Sequence, residues 1–154
     1  MNKISDYLGA DHARCDDLFE HLELFVNQAK WEDAETAFEK FERAMERHFG
    51  MEETVLFVAF EQATGNNNGP TSIMRMEHQH LRDIIGCLSE AVRQHDADDF
   101  FGNADTLRIM MHQHNQKEES ILYLMTDRVL SDRHDEIISV MRQLGTVGVV
   151  DYLG

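Results

Sequence analysis

The chain has 154 residues, a formal net charge of −15 with histidine neutral, and a single proline. That length makes one domain with room for a real core, and a composition with one helix breaker favours an all-helical chain. An acidic surface repels phosphate, so neither nucleic acid nor an anionic membrane is expected as a partner.

The segment Met1 to Asp6 has no apolar h-region, and no stretch approaches the length that spans a bilayer. Cys15 and Cys87 form no CxxC pair. These features predict a reduced, cytoplasmic protein.

Apolar residues at spacings of three and four predict a first helix from about Ser5 to Gln28, with Leu8, His12, Cys15, Phe19, Leu22 and Val26 inward. A second helix is expected from about Trp31 to Ala63, with Phe38, Phe41, Met45, His48, Glu52, Val55 and Ala59 inward. The run Thr64 to Pro70 consists of turn residues and is the clearest break in the chain. A third helix follows to about Gln94, burying Met74, His78, Leu81, Ile85, Leu88 and Val92. After the polar link His95 to Asp98, a fourth helix runs to about Arg128, with Leu107, Met111, His114, Glu118, Ile121 and Met125 inward. A short C-terminal fifth helix is expected over 132–144, capped by Ser131 and ended by Gly145. The tail 146–154 could dock on the bundle or on a partner, including a second copy of the chain. Two hairpins joined by a longer loop make an up-down-up-down four-helix bundle in one domain over 1–154.

The two hairpins, about 5–63 and 71–128, repeat each other. His12 to His48 is 36 residues, and so is His78 to His114. A shift of 66 carries Asp11-His12 onto Glu77-His78, His48 onto His114, Glu52-Glu53 onto Glu118-Glu119, and Phe57 onto Tyr123. On a helix, residues i and i+4 share one face, so His48 with Glu52, and His114 with Glu118, can point at one axis. Four imidazoles and two carboxylates on otherwise apolar faces are costly to bury alone. Together they are a ligand set for two metal ions: His12, His48, Glu52, His78, His114 and Glu118. Glu53 and Glu119, a further 100° around, are expected to face solvent or to act as acceptors behind the ligands.

A lone His on helix 1, HxxxE on helix 2, EH on helix 3 and HxxxE on helix 4 together resemble the hemerythrin family of HHE cation-binding domains. The resemblance covers about Ser5 to Arg128. It implies two Fe ions in a non-haem di-iron centre, bridged by two carboxylates and an oxo or hydroxo group. His12 and His48 would bind one iron, His78 and His114 the other, and Glu52 and Glu118 would bridge them.

The oxygen carriers of that family place a fifth histidine four residues before the helix 3 ligand, where this chain has Met74, a soft and weak donor for iron. Their last carboxylate is an Asp five residues after the His, whereas here Glu118 stands at four. The present set is closer to the bacterial iron-centre repair proteins, which commonly carry a cysteine pair in an added N-terminal domain. The resemblance implies a small diatomic or peroxide ligand (O2, NO or peroxide), bound or reduced in a stress or repair role. An oxygen-binding, sensing or iron-storage module is the alternative.

The other histidines carry less. His80 and His112 point to other helix faces, and His21, His95 and His134 lie near helix ends. Asp16 is expected to face solvent, and Cys15 to be a small buried residue. Gly50, between His48 and Glu52, could make room beside the metals.

Overall fold

The computed structural model describes the backbone of residues 2–153 and the side chains of residues 2–144. α1 spans Ile4–Asn27. α2 is continuous from Trp31–Met51 through a π turn, Glu52–Leu56, into Phe57–Thr64. α3 spans Pro70–Arg93. α4 runs from Ala97–Lys117 through a second π turn, Glu118–Leu122, into Tyr123–Val129, and α5 spans His134–Leu153. Among the described residues there is no strand, and no helix is long and apolar enough to cross a membrane.

α1 packs most extensively on α2, and α3 on α4; α2 against α3 and α4 against α1 close the four-helix bundle. α5 lies across α1 and α2 at the first π turn. The repeat extends to the connections. Both hairpin links turn on a residue with positive φ, Ala29 at 56° and His95 at 55°, which are also 66 positions apart. The longer loop starts at Gly65, whose φ of 69° ends α2 in the left-handed conformation that glycine adopts freely. Pro70 then opens α3, where its missing N–H has no role.

The C-terminal helix departs from expectation at both ends. Ser131 lies in the turn before it and does not cap it, and the Arg133 N–H bonds to the Leu130 carbonyl. The backbone stays helical through Gly145 and Gly148 to Leu153; each helical glycine costs only about 1 kcal/mol. Where the tail side chains of 146–154 dock lies outside the described residues.

His134 is more than a helix-end residue. Its Nδ1 accepts the Ile4 N–H at 3.0 Å, while Asp127 accepts the Ser5 N–H at 3.1 Å and the Ser5 hydroxyl. Residues from the far end of the chain thus cap α1, whose own N-cap, Lys3, offers no side-chain acceptor. Asp127→Ala should lower stability by about 1 kcal/mol, which calorimetry would read as a fall in Tm of roughly 2–4 °C.

The core is split in two. One apolar cluster, around Phe19, Phe38, Phe41, Leu88 and Phe100, fills the hairpin-link end. The other, around Leu8, Leu56, Phe60, Met74 and Met141, fills the opposite end beneath α5. Between them lies a buried polar layer.

Candidate metal centre

α1 and α3 are uninterrupted helices, and every residue expected on their inner faces is buried. α2 and α4 keep the expected register only as far as the HxxxE motifs. In each, the π turn begins at the glutamate. The Phe57 N–H bonds to the Glu52 carbonyl, and the Tyr123 N–H to the Glu118 carbonyl. In an α-helix position i+5 points about 140° away from i; the wider turn returns it to the inward face. The apolar face therefore slips by one residue, although Ala59, also expected inward, stays buried. Leu56 and Phe57 are buried in place of Val55, and Leu122, Tyr123 and Thr126 in place of Ile121 and Met125. Ile121 is exposed, and Val55 and Met125 are half-buried.

The polar layer contains His12, His48, Glu52, His78, His114 and Glu118, none more than 4% exposed. Their donor atoms form two groups, His12/His48/Glu52/Glu118 and His78/His114/Glu52/Glu118, each with its atoms within 4.8 Å of one another. Glu52 Oε1 lies 3.3 Å from His48 Nε2 and 3.2 Å from His78 Nε2. Glu118 Oε1 lies 3.1 Å from His12 Nε2 and 3.2 Å from His114 Nε2. Each glutamate therefore reaches across both groups.

The outward nitrogens are held just as regularly. Nδ1 of His48 meets Asp11 at 2.8 Å, His78 meets Glu53 at 2.7 Å, His114 meets Glu77 at 2.8 Å, and His12 meets Glu119 at 2.7 Å. Each acceptor is the chain neighbour of a polar-layer residue on the adjacent helix, so the contacts close a ring around the bundle. Glu53 and Glu119 are acceptors behind the histidines, one of the two roles open to them from spacing. Asp11 and Glu77, visible in the sequence only as matched positions of the repeat, do the same. A carboxylate can only accept, so Nδ1 carries the hydrogen, which leaves Nε2 as the nitrogen that would offer its lone pair inward to a metal. Arg82 grips Glu53 through two nitrogens at 3.0 and 2.9 Å, Arg14 pairs with Asp11, and Lys117 pairs with Glu77.

In the metal-free protein the layer is strongly polarised. Burial opposes charge on His48, but the Glu52 charge and the Asp11 hydrogen bond outweigh it and raise its pKa well above the usual value. Burial is likewise outweighed at His78 by Glu52 and Glu53, and at His114 by Glu118. Burial would raise Glu52; the His48 charge and its other polar neighbours instead hold it well below the carboxylate range. Glu53, despite partial burial, is lowered to about 2 by His78 and Arg82.

Sequence reasoning missed Tyr123. Fully buried, its hydroxyl donates to Glu52 Oε2 at 2.6 Å and lies 3.1 Å from Glu118 Oε1. It is also 3.2 Å from His12 Nε2 and 3.4 Å from His48 Nε2. Burial and the charges of Glu118 and Glu52 push its pKa well up. The signal available was its match to Phe57 under the repeat, five residues after each ligand glutamate.

The layer fits a metal. Buried Nε2 atoms of His78 and His114, Oε1 of Glu52 and Oε2 of Glu118 make no hydrogen bond. Such atoms are expensive to orphan, and imidazole with carboxylate is a donor set for iron or zinc.

Other expectations resolve simply. His80, His112 and Asp16 are exposed. Cys15 is buried, which pushes its thiol up to about 11. Met74 packs in the apolar cluster beneath α5. Gly50 does not make room beside the layer: a Cβ there would meet only Leu144 of α5, at 3.8 Å.

Comparison with curated proteins and with solved structures returns no significant match. The family model for the hemerythrin HHE cation binding domain matches residues 3–126, which include the four bundle helices up to the middle of α4's last segment and the whole polar layer. The chain belongs to the hemerythrin HHE cation-binding domain family.

Proposed function

We propose that the chain is a non-haem di-iron protein that binds or reduces a small ligand such as O2, NO or peroxide. The observation that carries this reading is the sharing of Glu52 and Glu118 between two donor groups. One metal would be held by His12 and His48, the other by His78 and His114, with both glutamates bridging. Two iron ions so placed would supply one-electron chemistry and positions for a small ligand. The protein's own part is to fix the imidazoles through their Nδ1 partners, to keep the layer dry between two apolar clusters, and to admit the ligand.

A cavity of about 380 Å³ offers a route in. It lies between α1 and α4, and Cys15, Met45 and Met111 line it, each three residues from a histidine of the layer. Glu119, the acceptor on His12, lines it too. It is half exposed, whereas the other three acceptors of the ring are at most 20% exposed.

Iron counting with Mössbauer spectroscopy on protein loaded anaerobically with ferrous iron tests the reading. Two irons per chain, coupled after air exposure, are expected; one or fewer at full occupancy would sink it. A long-lived, reversible oxygen adduct would favour carriage or sensing, and rapid oxidation without an adduct would favour reduction of the ligand.

The ring of acceptors gives a graded test. Glu53→Ala, Glu77→Ala and Asp11→Ala should each weaken metal binding about 10- to 100-fold by freeing one imidazole. His80→Ala and His112→Ala should leave iron content at the wild-type level. Titration with a competing chelator measures both. Equal losses for all five variants would mean that general destabilisation, not ligand orientation, sets the affinity.

A further inference from the structure

We propose that the Tyr123 phenol oxygen is a fifth protein ligand at the metal position framed by His12 and His48, so that the two positions are chemically unequal. The proposal rests on the di-iron reading above. Metal–donor bonds to nitrogen and oxygen are about 2.1 Å, so neighbouring donors on one ion stand about 3.0 Å apart. The phenol oxygen lies 2.6, 3.1, 3.2 and 3.4 Å from one atom each of Glu52, Glu118, His12 and His48. Those are the four residues of the first donor group. A phenol held only by a hydrogen bond needs one acceptor; this oxygen is at donor–donor spacing from a whole ligand set.

The backbone explains how it gets there. The π turn brings residue 123 onto the face of Glu118, and the same turn in α2 brings residue 57 onto the face of Glu52. There the repeat breaks. Phe57 stacks on His78 at 5.8 Å between ring centroids and has no oxygen to offer. The unpartnered Nε2 atoms of His78 and His114 belong to this second position. On coordination, the proton that Tyr123 now donates to Glu52 is released to solvent.

Phenolate bound to ferric iron absorbs in the visible and enhances tyrosine ring modes in resonance Raman spectra. The full chain loaded with ferric iron should show both, and Tyr123→Phe should lose both while retaining two irons. The chain has three tyrosines, Tyr7, Tyr123 and Tyr152. The double variant Tyr7→Phe/Tyr152→Phe leaves Tyr123 alone and should keep the full band, which decides the matter even if Tyr123→Phe fails to fold. Two irons with no phenolate band would overturn the proposal and leave the di-iron reading standing, with Tyr123 a hydrogen-bond donor only. So would a band that survives Tyr123→Phe or disappears in the double variant. One iron with the band would do the reverse.

Discussion

Glu118→Ala is expected to collapse the proposed di-iron centre, lowering iron to one atom per chain or none, with no Mössbauer signature of a coupled pair. The carboxylate is fully buried and stands 3.1 Å from His12 and 3.2 Å from His114, which lie in different donor groups. Among the described residues, no other residue but Glu52 spans the groups in this way. A histidine variant should behave differently. His12→Ala removes one donor from one group and should leave the His78/His114 position able to load. Glu118→Gln is the companion variant: it keeps the shape and an acceptor for Tyr123 but carries no charge to bridge two cations. It should fold as the wild type does and still fail to hold a coupled pair. Wild-type iron content and an unchanged spectrum in both Glu118 variants would refute bridging by this residue.

Removing the metal should cost stability on a similar scale. A site filled at a hundred times its Kd stabilises by about 2.7 kcal/mol. Two such sites contribute roughly 5 kcal/mol, a fall in Tm of roughly 10–20 °C on chelation for a domain of this size. The loss should depend on pH with a definite sign. In the metal-free protein His48, His78 and His114 have raised pKa values. Their contribution is fully present below the unfolded value of about 6.5 and is lost as pH rises through the folded ones. Asp11, Glu52, Glu53 and Glu77 are lowered. Their contribution is present above the unfolded values, about 3.9–4.3, and is lost as pH falls through the folded ones. Metal-free protein should therefore be most stable at about pH 4.5–6.5. Metal binding displaces the imidazole protons and so strengthens as pH rises. Calorimetry of loaded and chelated protein at pH 5.5 and 8 should show the gap in Tm widening with pH. A constant gap would mean that the histidines release no protons to solvent when the metal binds.

The six residues of the polar layer were legible because repetition exposes them. A single HxxxE motif is common in an acidic helical chain; two in register, each with a histidine at the same distance before it, mark a shared axis. α1 and α3 were legible down to single buried residues because nothing interrupts their 3.6-residue period. The π turns were not. Each adds one residue to a turn, a change of backbone hydrogen bonding that leaves no mark on composition. Counting on in α-helical steps placed Ile121 and Val55 inside and gave Tyr123 no inward place. The Nδ1 acceptors were half visible. Glu53 and Glu119 were placed by angle, but their partners on other helices depend on how the bundle closes, which no single helix encodes. His134 and Asp127 were opaque for the same reason, since they cap a helix more than a hundred residues away.

The ring of Nδ1 contacts runs from α1 to α2, α2 to α3, α3 to α4 and α4 back to α1. Half a turn about the bundle axis carries it onto itself. That is the self-complementary contact pattern of an isologous dimer, in which two copies of one helical hairpin meet about a twofold axis. Within this chain the loop 65–69 ties the two hairpins at fixed stoichiometry. A true dimer must change both halves whenever it changes one. Covalent joining lifts that constraint, so a substitution made in one hairpin need not be repeated in the other, as Tyr123 stands where its counterpart is Phe57.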